Sequence, residues 1–386
     1  MQYQAIQATP NQQPLAIAAA KPLQTYATYP MHWPMNDRIF VTAHDVARAA
    51  GVSQSAVSRA FTPGASISPD TRARILTAAD QLGYRPNLLA RSLINGRSNI
   101  VGVGVGNLAN PFFVETMQLL SRALDDAGLR LLLFPADSGA TAEPSIHEIL
   151  HYRLDALVLL SVGLSSTLAE ECRRAQVPVV LYNRTTLDDA TSSVIGDNQI
   201  GARTIAAHLL AGRHQRIAYI AGTAGSSTNA QREAAFFAYL AQQGAPAPLR
   251  EDGHYDIAAA TAATRRLLTR PDRPDAIFCA NDLMAIAAIN VARHEYGLDV
   301  GREISIVGYD DVPMAAWPAF SLTSYSQPAE QMVAQTVRLI RILRDDPDAH
   351  QDVIVDGTLM LRGSSRSVAN PSAYATTTNI ATPRPD

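Results

Sequence analysis

The chain reads as an α/β protein in two parts: an N-terminal helix-turn-helix head of three helices, then a larger body with parallel sheets. Three observations predict this. Residues 42–93 contain two short amphipathic segments around a glycine turn, a third helix and a short Arg-bearing segment. From residue 100 to about 361, short apolar strands alternate with amphipathic helices. The charge is also unevenly placed: residues 41–100 carry seven arginines against three aspartates, +4, which leaves −7 for the rest of a chain whose formal total is −3. A basic head on an acidic body is the asymmetry expected when one end alone meets phosphates.

Residues 1–40 are rich in Gln, Ala, Thr and Pro without a sustained period, and a disordered extension is expected there. Thr42 can cap the first helix, with Asp45 at capping-box spacing. Val46, Ala47 and Ala50 form its apolar stripe, and Gly51 supplies the turn. Ser53 caps the second helix, in which Ala56, Val57 and Ala60 pack while Gln54, Ser55 and Arg59 point away. The small residues Ala47 and Ala56 allow the two helices to meet at a sharp angle. Ser68-Pro69 opens the third helix, Ile75, Leu76, Ala79 and Leu82 are its expected buried face, and Gly83 ends it. The head thus spans 41–85, with a linker over 86–98.

In the body, strands are predicted at 100–106, 129–134, 156–161, 177–182, 216–221, 276–280 and 304–309, with helices at 111–127, 198–211, 230–243, 256–269 and 282–296. Continuous apolar strands between helices argue for parallel sheets covered on both faces, and the length suits two of them. Gly104 and Gly106 formally open a GxGxxA dinucleotide fingerprint, but Asn110 and Pro111 place the helix start several residues too late for it. Cys172 and Cys279 lie far apart in apolar runs, as buried free thiols do, and no cysteine or histidine spacing suggests a metal. Residues 367–386 are expected to be a flexible tail.

A helix that enters the major groove reads bases with side chains near its N-terminus. Gln54 and Ser55 hold that place, with Arg59 about one turn on; Gln suits adenine and Arg suits guanine. The candidate DNA-facing residues of the head are Thr42, Ser53, Gln54, Ser55, Ser58 and Arg59. Against this stands the plainer reading of solvated polar residues on a small helical bundle.

The chain resembles the lactose/galactose repressor family of bacterial transcription regulators. The resemblance is carried by DVARAAGVS at 45–53, VSRAF at 57–61, SPDTRARIL at 68–76, LGYRPNLLARSL at 82–93 and NPFF at 110–113, and continues through VPVVLYNR at 177–184, CANDLMA at 279–285, ISIVGYDD at 304–311 and LTSYSQP at 322–328. It implies a hinge helix after the head, with Leu93 as a minor-groove wedge and Asn87 and Arg91 near the backbone or groove floor. Ile94 stands where the family often has a basic residue, and Ala259-Ala260 where it usually has Ser-Gly. Met35 would give an amino terminus of the family's usual length. For residues 99–366 the resemblance implies a two-lobed effector and dimerisation domain of the periplasmic-binding-protein type I fold, lobe 1 being about 99–195 and 327–355, lobe 2 about 196–326 and 356–366. The implied partners are double-stranded operator DNA, a sugar-like effector and a second copy of the chain, in a repressor that an inducer releases.

Effector candidates follow from strand ends and from the resemblance: Phe112, Asn183, Arg232, Tyr255, Asn281 and Asp310, with Phe112 favoured over Phe113 for the cleft. Arg232 matches a ligand-gripping family arginine. Each has a competing role: helix or loop capping for Asn281 and Asp310, an ion pair with Glu233 or Asp197 for Arg232, core packing for Phe112. No Ser-His-Asp set, phosphate loop or paired-carboxylate motif suggests an enzyme, and no cofactor or metal is expected. A periplasmic solute receptor would fit the body but has no use for residues 42–93. With no basic-then-apolar leader pattern and no run long enough to span a membrane, a cytoplasmic location is expected.

Overall fold

A computed structural model describes residues 41–62, 64–85, 97–136, 149, 151–186, 191–367 and 380–381. They divide into two units, Met1–Pro86 and Asn87–Asp386.

The first unit holds α1 (Ala43–Ala50), α2 (Gln54–Ala60) and α3 (Pro69–Gln81). The capping box forms: the Thr42 side chain accepts from the Asp45 amide, and Asp45 Oδ2 accepts from the Thr42 amide at 3.0 Å. Gly51 takes φ 64°, a left-handed value that lets α1 end and the chain turn into α2 within three residues. Ser53 caps α2 and Ser68 caps α3, with Pro69 in its first turn. Val46, Ala47, Ala56, Val57, Ala60, Ile75, Ala78 and Ala79 form the core. Two members of the face expected for α3 depart from it: Leu76 is 43 % and Leu82 38 % exposed, and Ala78 is buried instead. Burial follows Ile75, Ala78 and Ala79 at i, i+3 and i+4, so Leu76 turns off the stripe and Leu82 comes after the helix has ended. Arg72 fixes α3 to the end of α2 by donating to the Ala60 and Ala65 carbonyls at 2.8 and 3.2 Å.

The second unit is built on two sheets. The first contains β1 (Ile100–Val105), β2 (Arg130–Pro135), β3 (Ala156–Leu160), β4 (Val179–Tyr182), β5 (Ser192–Gly196) and β11 (Asp352–Val355), in the order β11-β5-β4-β3-β1-β2 and parallel throughout. The second contains β6 (Ile217–Ala221), β7 (Leu249–Asp252), β8 (Ala276–Cys279), β9 (Ser305–Asp310), β10 (Thr323–Ser326), β12 (Leu359–Met360) and β13 (Ile380–Ala381), in the order β13-β12-β10-β9-β8-β6-β7, with the β10–β12 pair antiparallel.

Helices cover both sheets. On β3, Ala156, Val158 and Leu160 face a core shared with α4 (Pro111–Asp126) and α10 (Ala329–Asp345). Leu157 and Leu159 face the opposite core, with Leu168 and Cys172 of α5 (Ser166–Arg174). A strand buried on both faces needs an unbroken apolar run, which is why ALVLL reads as it does. In the second sheet α6 (Asn198–Ala211), α7 (Ser227–Gln242), α8 (Ile257–Leu268) and α9 (Asp282–Asn290) enclose one core around Tyr219, Phe236 and Phe278. A π-helical turn, Val291–Glu295, continues α9.

The chain passes between the sheets three times. β5 belongs to the first sheet while the next helix, α6, packs on α7; β10 belongs to the second while α10 packs on α4; β11 and β12, four residues apart, lie in different sheets. The fold class predicted from the sequence is the one observed. The predicted hinge, with Asn87, Arg91 and Leu93, lies outside the described residues. So does most of the carboxyl-terminal segment, of which Ile380–Ala381 pairs with β12. Among the described residues no helix is long and apolar enough to cross a membrane, and both cysteines are buried outside any disulfide.

Candidate functional site

Two places in the chain gather polar groups that the fold itself does not use up. The first is the outer side of α2. Its inward residues Ala56, Val57 and Ala60 are buried, while Ser53, Gln54, Ser55, Ser58 and Arg59 are all exposed. Two candidates already have internal work: Thr42 Oγ1 donates to Asp45 Oδ2 at 2.7 Å, and Ser53 Oγ accepts from the Ala56 amide at 3.3 Å. Ser53 Oγ and Ser55 Oγ lie 2.9 Å apart, so one hydroxyl bonds the other at the helix start. Gln54, Ser58 and Arg59 keep their side chains outward on the first two turns. Amide, hydroxyl and guanidinium groups along one short exposed face can read base edges or hold phosphates.

The second place is a cavity of about 30 Å³ between the two sheets. Its walls come from the carboxyl ends of parallel strands: Ser161 after β3, Asn183 after β4, Asn281 after β8 and Asp310 at the end of β9. The amino-terminal turns of α4 and α7 add Phe113, Thr228 and Arg232, and Asn107, Asn110, Ser226 and Tyr255 complete it. In open α/β sheets the strand termini leave helix amino ends and loop side chains converging on one crevice.

Arg232 is the centre of this arrangement and is 1 % exposed. Nε donates to Asn198 Oδ1 at 2.8 Å, and Nη1 donates to the Ala280 carbonyl at 2.5 Å and lies 3.8 Å from Asp310 Oδ1. The last distance is an ion pair too long for a hydrogen bond. The guanidinium carbon sits 3.5 Å from the centroid of the Tyr309 ring, a cation–π contact that fixes its plane. Nη2 has no partner. Asp310 accepts from Gln327 Nε2 at 2.6 Å and from Asn110 Nδ2 at 3.2 Å. Burial pushes the Asp310 carboxyl up from its ordinary range, and the Arg232 charge and these two donors work against that.

Three hydrogen bonds close the lobes on each other. Asn110 Nδ2 donates to Asp310 Oδ2, Thr228 Oγ1 donates to the Asn183 carbonyl at 2.7 Å, and the Thr185 amide donates to Ser227 Oγ at 3.0 Å. Asn183 and Tyr255 hold left-handed backbones, φ 57° each, which turn their side chains off the strand ends. Gly222 makes room for Tyr255, because a Cβ there would overlap the ring.

The structure brings five of the six effector candidates together: Asn183, Arg232, Tyr255, Asn281 and Asp310 all line the cavity. Phe112 does not. It is 2 % exposed, packed beside Tyr182 with tilted rings whose centroids are 6.3 Å apart in the first lobe's core, and Phe113 faces the cavity in its place. Asn110 caps α4 by accepting from the Phe112 amide at 3.1 Å, which fixes the first turn and sends the first of the two rings inward. For Asn281 the competing role is a shared one, whereas the ion pair of Arg232 is with Asp310 and Glu233 pairs with Arg250 instead. Asn281 Oδ1 caps α9 by accepting from the Met284 amide at 3.0 Å, while Nδ2 has no partner. Asp311 and Asp282 serve the fold, the first paired with Arg362 at 2.7 Å and the second accepting from Ser324 Oγ and the Val312 amide. Sequence reasoning missed Asn107, Asn110, Ser161, Ser226 and Thr228, small polar residues at strand ends and helix starts whose only signal is position. Among the described residues no three His, Cys, Asp or Glu side chains gather as a metal would require.

The model for bacterial regulatory proteins of the lacI family matches residues 42–87, and that for a periplasmic binding protein-like domain matches 206–365. The HTH-type transcriptional regulator AscG of Escherichia coli (strain K12) is 30% identical over 84% of this chain and 98% of its own length. The lac repressor dimer bound to operator and the anti-inducer ONPF superposes with TM-score 0.75 at 26% identity, covering 85% of this chain and 99% of that one. A complex of the transcriptional regulator CelR with cellobiose superposes with TM-score 0.62 at 29% identity, over 84% and 100% of the two chains.

Proposed function

The chain belongs to the lacI family of bacterial regulatory proteins and is a DNA-binding transcriptional regulator rather than an enzyme; from that premise we propose a cytoplasmic repressor whose operator affinity is set by a sugar-like effector in the interlobe cavity. The observation that carries the effector half is the convergence of unpartnered polar atoms from both lobes: Asn183 Oδ1, Asn281 Nδ2 and Arg232 Nη2. Buried polar groups without partners are costly, so a site that keeps three beside one cavity is built for a ligand that completes them. Alternating donors and acceptors match the hydroxyls of a carbohydrate, and the Phe113 ring offers an apolar wall to its carbon face.

In the DNA half, Gln54, Ser55, Ser58 and Arg59 read base edges, with Thr42 and Ser53 at the helix starts near the phosphates. Asn87, Arg91 and Leu93 act in the minor groove, as the family resemblance implies. Two chains pair through their bodies, a reading supported by the similarity to a lac repressor that binds operator as a dimer, and set two recognition helices about one DNA turn, roughly 34 Å, apart. Because the cavity encloses only about 30 Å³, a sugar ring enters by opening the three interlobe hydrogen bonds. Effector occupancy and lobe geometry are thereby linked, and lobe geometry sets DNA affinity with release by inducer as the expected sign.

The test is a melting-temperature screen of the full chain against neutral sugars, sugar acids, nucleosides and purines, followed by DNA binding with each stabilising compound. A sugar-class compound that raises the melting temperature and lowers operator affinity supports the proposal. Stabilisation confined to nucleosides or purines contradicts it.

A further inference from the structure

Only two arginines are buried among the described residues, Arg184 at 7 % and Arg232 at 1 % exposure, and they differ in one respect. Arg232 has a carboxylate, Asp310, within ion-pair range. Arg184 has none among the described residues: Nη2 donates to the Ser161 carbonyl at 3.3 Å, and Nε has no partner at all. Its place is not incidental. Arg184 follows Asn183 at the carboxyl end of β4, its acceptor Ser161 is on the cavity wall, and Tyr255 of the opposite lobe lies close enough to feel its charge. We infer that the effector is a sugar acid, whose carboxylate supplies the counter-charge that Arg184 lacks among the described residues. This rests on the reading of the cavity as a sugar site and narrows the class of sugar.

The physical argument is a charge balance. Taking a guanidinium out of water is expensive unless an anion and hydrogen bonds compensate it. Burial pulls the Arg184 pKa down from its ordinary value, as an uncompensated charge requires. Of the cavity's own charged residues Arg232 and Asp310 offset each other, and Arg184, behind the wall residues Asn183 and Ser161, adds one positive charge. A carboxylate carries one negative charge and fits the planar fork through paired N–H donors. A phosphate ester near neutral pH carries closer to two, and among the cavity residues there is no second free cation to meet it. The remaining wall groups, amides and hydroxyls from Asn110, Asn183, Thr228 and Asn281, suit the hydroxyls of the same molecule.

The experiment is isothermal titration calorimetry of the full chain with matched compounds: glucose beside glucuronate and gluconate, galactose beside galacturonate, and glucose 6-phosphate as the dianionic arm. At least one acid is expected to bind about ten-fold or more tighter than its neutral parent, and Arg184→Gln is expected to erase that preference. The variant should melt no lower than the parent protein, because the substitution removes a buried charge that no carboxylate among the described residues balances. Neutral sugars binding as tightly as their acids would overturn this inference and leave the sugar-effector reading standing. Binding by none of the compounds would overturn both. Tighter binding of the phosphate than of any acid would overturn the carboxylate assignment, and a variant melting well below the parent would show that Arg184 has an internal counter-charge.

Discussion

In the proposed reading, Arg59 serves recognition and not folding. It is exposed on α2 opposite the buried Val57 and Ala60. Arg59→Ala should therefore weaken specific binding by about 1–3 kcal/mol, leave random duplex nearly unaffected and keep the melting temperature, all measurable by fluorescence anisotropy and circular dichroism. Ser53→Ala should also cost stability: loss of the Ala56 amide's acceptor destabilises the head by about 0.5–2 kcal/mol in a urea titration. A pair of histidines gives a separate residue-scale test. Burial, reinforced by its histidine neighbour, holds His208 down to about 4; burial and the Arg366 charge do the same to His214, with Asp275 opposing. Both folded-state values lie below the ordinary 6.5, so the unfolded chain takes up protons first as pH falls. Stability is full above about pH 6.5 and is lost as pH drops toward 4, by an amount on the order of a few kcal/mol. A melting temperature unchanged between pH 7 and pH 5 would contradict this. At this scale the sequence is most informative where chemistry is rare, as with Arg232 and Asp310, and least where identical residues adjoin. Phe112 and Phe113 are the same side chain, and only the helix start fixed by Asn110 decides which ring turns inward.

Elements were legible in proportion to how apolar and continuous they are. The seven strands predicted from unbroken apolar runs all form, within two residues of the expected bounds. Of the others, β5, β7 and β10 carry polar residues, and β11, β12 and β13 are only four, two and two residues long. β5 begins with Ser192 and Ser193, whose hydroxyls bond the Gln351 amide and Asp352 of the neighbouring strand, and β7 is LRED at a sheet edge. Helix α10 carries its signal in periodicity instead: Met332, Val333, Thr336, Val337 and Ile340 bury one face, a pattern that strand-seeking along apolar runs passes over. In α3 the stripe and the composition disagree, and the stripe wins. Ile75→Ala, at a fully buried site, should destabilise the head by about 2–5 kcal/mol, whereas Leu76→Ala at its exposed neighbour should cost well under half as much. Equal losses in chemical denaturation would return Leu76 to the core. Where β6 ends, Gly222→Ala should displace Tyr255 and abolish effector-induced stabilisation while the protein still folds, because the clash falls on one ring at the cavity rather than on the sheet.

For the whole molecule, function depends on joining two sites that the sequence announces separately, a basic head and a cleft between sheets. The segment between them, with Asn87, Arg91 and Leu93, lies outside the described residues. If effector and operator bind linked states of one dimer, each must change the other's affinity by the same factor. The most direct measurement is therefore a reciprocal titration of the full chain: genomic fragments are selected for binding, and the enriched duplex is titrated with and without the compound that raises the melting temperature. The account predicts a shared near-palindromic motif, an operator affinity that falls about ten-fold or more at saturating effector, and an equal fall in effector affinity when operator is bound. Fragments with no common motif, or an operator affinity indifferent to the bound effector, would contradict it.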